Sequence, residues 1–202
     1  MMNRTKKCLG FLALLSAFLL LSACNPLENE SNSNSLLTVM NLTGTDIEGN
    51  VVNFLESDVL NVDPTTGGET IHADVATATL RVTMLDPQPI NPPSQYSDII
   101  VTRYIVSYMR SDGKSTEGVD VPYTFEGYLS TLIGINTNSD ISFVIVRAVS
   151  KGEPPLSNLA EGRGEGVLEV RAKVEFYGHD MTNKTVKATG YLTIFFANYT
   201  DQ

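Results

Sequence analysis

The sequence predicts an all-β protein built as a single antiparallel β-sandwich of about seven to nine strands. Three observations predict it. Apolar and polar residues alternate with a period of two through several segments, and clusters of Gly, Pro, Asn and Asp punctuate those segments. No stretch keeps a helical period for more than two turns.

The clearest element is 167–177, where Leu168, Val170, Ala172, Val174 and Phe176 alternate with Glu169, Arg171, Lys173, Glu175 and Tyr177. That is the pattern of a strand with one face buried and one in water. After a loop over 178–184, the segment 185–199 returns with Val186, Ala188, Gly190, Leu192, Ile194 and Phe196 on one face. Pairing Phe176 with Val186 joins the two apolar faces. It also sets Glu175 against Lys187 and Arg171 against Tyr191, cross-strand pairs worth roughly 0.2–1 kcal/mol each. A slip of one residue would bury the charged face, so the parity of the register is strongly specified.

Upstream, 74–85 alternates in the same way and ends at 86–93, which is too rich in proline for a helix or a central strand. The next strand, 99–110, ends at the turn Ser111-Asp112-Gly113. Shorter strands are expected at 119–121, 128–133 and 141–149, broken by Pro122, Gly134 and the polar cluster 136–140. Segments 37–41 and 51–60 add strands on the N-terminal side.

The first residues have a different character. Arg4, Lys6 and Lys7 precede an apolar run over 9–21, and the small residues Ser22 and Ala23 lead to Cys24. The run is too short for a spanning helix, which needs roughly 20 apolar residues, and it suits the core of an export signal. Leu21-Ser22-Ala23-Cys24 resembles the lipobox of bacterial lipoproteins. That resemblance implies cleavage before Cys24, a diacylglycerol on its sulfur and usually an acylated amine, palmitate being a typical chain. By it the protein belongs to the cell envelope, and Asn25 directly after the cysteine favours the outer membrane over the inner one. The expected organisation is a signal peptide at 1–23, lipidated Cys24 with a flexible tether to 36, and one domain over 37–202. The tether reading rests on the Asn, Ser and Glu of 25–36, which bury too little apolar surface to order themselves. Extended, those dozen residues would reach about 40 Å.

Loss of the signal removes Cys8 and leaves Cys24 alone, so no disulfide can form within one mature chain. It also removes three bases and no acid, leaving 11 bases against 23 acids, a net charge of −12. Such a surface repels phosphate backbones and argues against nucleic acid as a partner.

At Arg103-Tyr104-Ile105-Val106-Ser107-Tyr108, followed by the Asp112-Gly113 turn, the chain resembles the third strand of fibronectin type III domains. The resemblance implies an immunoglobulin-like sandwich. The whole arrangement is similar to bacterial lipoproteins of comparable length, a resemblance that brings no activity with it.

Candidates for chemistry are few. His72 and Asp74 would share one face of a strand, as a metal pair can, but no third ligand stands near in sequence. His179-Asp180 falls in a hairpin turn. No Gly-x-Ser-x-Gly elbow occurs, and Gly162-Arg163-Gly164-Glu165-Gly166 opens a strand, whereas a phosphate loop opens a helix. Asp58, Asp63 and Glu69 flank Thr66-Gly67-Gly68, an acidic loop and a weak calcium candidate without the regular acid spacing of calcium loops. Tyr177, Tyr191 and Phe195 stand on the polar face of the last hairpin, either as a partner surface or covered by the N-terminal segment. The sequence therefore implies no catalytic residues and no cofactor. It points to a membrane-anchored, protein-binding or scaffolding domain with an envelope partner. The alternative is a carbohydrate- or calcium-binding adhesion module.

Overall fold

The structure is a computed structural model that describes residues 29–86, 88, 94–161 and 166–199. Twelve strands are described: β1 (Glu30–Ser31), β2 (Ser35–Thr45), β3 (Val51–Val52), β4 (Phe54–Asp58), β5 (Asn61–Val62), β6 (Glu69–Thr70), β7 (Asp74–Met84), β8 (Ile99–Arg110), β9 (Phe125–Ile133), β10 (Asn138–Val146), β11 (Val167–Asp180) and β12 (Thr185–Ala197). Two short helices, α1 (Ala148–Lys151) and α2 (Leu156–Ala160), lie between β10 and β11. The eight strands of five residues or more match the expected number.

They form an all-β sandwich. The larger sheet runs β1-β12-β11-β8-β9, with β4 also on β12, and the smaller runs β10-β7-β2-β3. The chain crosses between the sheets after β7, returns after β9 and crosses again through α1 and α2. Only β8–β9 and β11–β12 among the long strands are joined as hairpins. One pairing departs from the antiparallel expectation: β4 lies parallel to β12, from Thr193↔Phe54 to Ala197↔Asp58. A partner drawn from far along the chain needs no hairpin, so it can dock on a free edge in either direction.

The inward faces meet at a cluster of aromatic rings. Phe143 of β10 stands edge-on to Tyr104 of β8 at 5.0 Å and to Phe176 of β11 at 5.3 Å, and Phe125 of β9 stands edge-on to Tyr104 at 6.3 Å. Edge-to-face rings add to the free energy of burying their area. Tyr108 joins the sheets a second time, donating its hydroxyl to the Ile145 carbonyl at 2.6 Å. Burial pushes that phenol well above its usual range.

The β11–β12 hairpin keeps the expected parity but pairs two residues away from the expected register. Phe176 faces Ala188, and Glu175 faces Thr189. The reason lies in the turn. Strand β11 continues through Gly178, His179 and Asp180, so that only 181–184 remain as loop. Asp180 and Lys184 close the loop with a backbone bond of 3.0 Å, and Asn183 takes the left-handed conformation there (φ 66°). The longer ladder satisfies backbone groups that a seven-residue loop would leave to water. Gly178 serves as a close approach within the ladder and does not open the loop. A Cβ there would run into the Ile100 carbonyl, at the point where the β8–β11 register shifts. The two anticipated side-chain contacts survive as diagonals, which long side chains can span. Lys187 Nζ is 2.8 Å from Glu175, and the Arg171 guanidinium lies 4.2 Å from the Tyr191 ring centre.

Three further expectations differ. Residues 119–121 form a turn closed on the Thr116 carbonyl. The segment expected as a strand to 149 leaves the sheet after Val146 and turns into α1, which places Lys151 inside. The composition of 29–36 predicts tether, yet these residues lie on the fold: Glu30 and Ser31 pair with Lys187 and Val186, and β2 begins at the buried Ser35. Their polar side chains bond locally, to Asp180 of β11, to Thr185 of β12 and to the Ser97 carbonyl, so they need no apolar burial of their own. The described sandwich thus starts at Asn29, seven residues upstream of the last expected tether position.

Truncating the ring that bridges the sheets should be costly. Phe143→Ala is expected to lower unfolding free energy by about 3–5 kcal/mol, measured by urea titration of tyrosine fluorescence.

Candidate functional site

The outer face of the larger sheet presents the charged parity of β11. Tyr128, Arg103, Tyr177, Lys187 and Glu30 are successive partners across β9, β8, β11, β12 and β1. The Arg103 guanidinium lies 4.2 Å from the Tyr177 ring centre and 3.3 Å from Glu126. Lys187 Nζ is 5.9 Å from the same ring. Glu175 sits between Lys173 at 2.9 Å and Lys187 at 2.8 Å. Burial works to raise that carboxyl, but hydrogen bonds from both lysines outweigh it and hold its pKa below the usual value.

The three aromatic candidates therefore share one face but have different surroundings. Tyr177 and Tyr191 are half-buried beneath cations. Phe195 is covered by β4, with Phe54 edge-on at 5.9 Å. The open aromatic is Tyr128, 80% exposed on the sheet's far edge. Sequence reading passes over Tyr128 because residue type does not follow the faces of its strand: Gly127 and Thr131 lie on the inward side of β9, and Tyr128 and Leu132 on the exposed side.

The acidic-loop candidates are not brought together. The Asp63 carboxylate caps its own turn, accepting from the Thr65 and Thr66 N–H groups at 2.7 and 3.2 Å. Asp58 accepts from the Tyr199 N–H at 3.2 Å, and Glu69 lies on β6, exposed. Among the described residues, no group of three or more His, Cys, Asp or Glu side chains converges as a metal site would. His72 is exposed ahead of β7, whereas Asp74 turns inward, so that pair separates. His179 Nδ1 lies 2.9 Å from the Asp180 carbonyl. Cys24, the rest of 1–28, and 162–165 of the glycine-rich segment lie outside the described residues.

Two inward acids carry the polar chemistry of the interior. Asp74 continues the core parity of Ala76 and Ala78, and Ser57 that of Leu55. Lys151, 2% exposed, bonds Asp74 Oδ1 at 2.9 Å and the Asp58 carbonyl at 2.7 Å. Ser57 donates to Asp74 Oδ2 at 2.6 Å. Burial pushes the Asp74 carboxyl up, against the pull of the Lys151 charge and the Ser57 hydroxyl. The cluster is largely shielded from solvent and fastens α1 to β4 and β7. Sequence pattern offered a signal for it, an acid at a core-facing position.

Asp180 is the second. Its Oδ2 accepts from the Ser33 hydroxyl at 2.6 Å, and its Oδ1 from the Thr182 N–H, the Thr182 hydroxyl and the Lys184 N–H at 2.8, 2.7 and 3.0 Å. Burial favours the neutral acid, but these donors win and hold its pKa at about 2. Beside it opens a cavity of about 220 Å³ lined by Ser33, Ser35, Tyr96, Ser97, Thr182 and Lys184 among others. Hydroxyls and an amine make this lining suited to a small polar molecule or to water.

No protein-family model matches the chain, and no curated protein matches it.

Breaking the buried pair from one side should cost more than the pair itself contributes. Asp74→Ala leaves Lys151 buried without its counter-charge, and a loss of about 3–5 kcal/mol is expected in urea denaturation. Asp180 makes a pH prediction. Its folded pKa lies below the unfolded 3.8, so its contribution is complete above that value and is lost as pH falls from about 3.8 through about 2. In Asp180→Asn the acid limb of the stability–pH curve should be shallower across that window.

Proposed function

We propose that this chain is a non-catalytic lipoprotein of the bacterial cell envelope, anchored through Cys24, whose sandwich binds or scaffolds another envelope protein. The observation that carries the binding role is the outer face of the larger sheet, with its Tyr128–Arg103–Tyr177–Lys187 row. Tyrosine and arginine are the residues most enriched where proteins dock. Arg103, Tyr177 and Lys187 are held by contacts with one another and with Glu126 and Glu175, so less of their side-chain freedom would be lost on binding.

An immunoglobulin-like assignment of the sandwich supports this reading. Strands β2, β7 and β10 face β8, β11 and β12 through Greek-key connections, the arrangement of immunoglobulin-like sandwiches, with β9 added beside β8. The lipobox at 21–24 supports the anchor, and Asn25 favours the outer membrane. The hydroxyl-lined cavity beside Asp180 favours a second reading, a carbohydrate-binding module.

For the anchor, Cys24→Ser should abolish uptake of labelled fatty acid, and unchanged labelling would remove the lipoprotein reading. For the surface, a photo-crosslinker at position 177 in intact envelopes should trap a defined protein that the same probe at position 79, on the opposite outer face, does not. Identical products from both positions, or none, would count against it. Saturable binding of a defined sugar, lost in Ser35→Leu, would favour the second reading.

A further inference from the structure

The place where the chain joins the sandwich constrains how the domain can stand on a membrane. The Thr189 N–H donates to the Asn29 side chain at 3.2 Å, and β1 then runs antiparallel along the first part of β12. Strand β4 occupies the same edge only from Thr193 onward. The chain therefore arrives in the gap between β1 and β4, opposite the middle of β12 and not at an end of the sandwich.

Strand β2 packs over that gap. A Cβ on Gly190 would lie 2.8 Å from Val39 and 2.7 Å from Leu42. At the bulge between Val39 and Asn41, Met40 turns outward and is 53% exposed. Strand β3, at the same edge of the smaller sheet, presents Val51 at 74% exposure, and the turn before it presents Ile47. Three large apolar side chains thus stand in water on the side where the chain arrives.

We infer that this edge of the sandwich rests on a phospholipid surface, with the domain lying side-on and Met40, Ile47 and Val51 in the headgroup layer. The inference rests on lipidation of Cys24. Only residues 25–28 then separate the lipid-bearing cysteine from Asn29, and the five steps from Cys24 to Asn29 span at most about 18 Å. Standing on the Ala197 end of β12 would put eight strand residues, about 26 Å, between Thr189 and the membrane. Standing on the hairpin end would require about 13 Å to Thr185 and then the turn beyond it, which uses most of the reach in a fully extended chain. Lying on the edge requires neither. Asp46, Glu48 and Glu56 flank the apolar side chains, so the surface that fits is zwitterionic and not anionic.

The acylated mature chain has its one natural thiol blocked, so an introduced cysteine can be labelled alone. Met40→Cys and Val51→Cys, with Tyr128→Cys on the opposite edge as reference, would carry an environment-sensitive fluorophore in phosphatidylcholine vesicles holding headgroup quenchers. Quenching several-fold stronger at 40 and 51 than at 128 is expected. Equal quenching at the three positions, or stronger quenching at 128, would overturn the side-on posture. The mass of the N-terminal peptide separates the two failures. An unacylated Cys24 removes the anchor itself, whereas acyl chains without the 40/51 preference remove only this inference.

Discussion

Phe143 is the contact on which the two sheets depend. No cysteine lies among the described residues, so the layers are joined by packing, and this ring from β10 meets Tyr104 and Phe176 from the facing sheet at 5.0 and 5.3 Å. Dispersion and the edge-to-face preference of the rings act together there. The cluster sets the distance between sheets, and Tyr108, bonded to the Ile145 carbonyl, repeats the link nearby. Everything outside the core is positioned from this joint: the outer-face ladder by β8 and β11, and the strand edges by β12.

Strand β12 has an unusual share of the remaining work. It pairs with β11 along one side and is covered on the other by β1 at its start and β4 at its end. An open edge of that length would invite pairing with other chains, and the two short strands close most of it. The interior polar groups belong to the same closure. Asp180 and Ser33 pin the N-terminal segment at one end of the hairpin, while Lys151, Asp74 and Ser57 fasten α1 and β4 at the other side. A buried pair of this kind contributes little net stability, but it penalises alternative packings that would leave either charge alone.

The outer face of the larger sheet is largely self-satisfied. Glu175 bridges Lys173 and Lys187, and arginines cover Tyr177 and Tyr191, so these charges find partners within the face itself. Such a face is rigid and mixed in character, which is the property that supports the docking role proposed for it. Its open aromatic, Tyr128, was not legible in the sequence because β9 puts Gly127 and Thr131 inward and Tyr128 and Leu132 outward, so residue type does not reveal the faces. Of the two inward acids, Asp74 was legible in principle, since it falls on core parity in a strongly alternating strand, whereas Asp180 fell in the expected loop and only the extension of β11 turned it inward.

By itself the sequence determined the class of fold, the strands with strict alternation and the parity of the last hairpin, because a period of two is a local property that only a half-buried strand satisfies. It also placed both cysteines, Cys8 and Cys24, ahead of the sandwich, which therefore contains none. Tertiary structure decided what depends on partners distant in the chain. The hairpin register moved by two residues because Asp180 and Lys184 could close a shorter turn. The segment 29–35 joined the fold because β12 offered it backbone partners 150 or more residues away. The acids of the 58–69 loop separated because Asp63 caps its own turn, Asp58 accepts from the Tyr199 N–H and Glu69 stands exposed on β6. Local composition cannot see such partners, and the free energy of these choices lies in them.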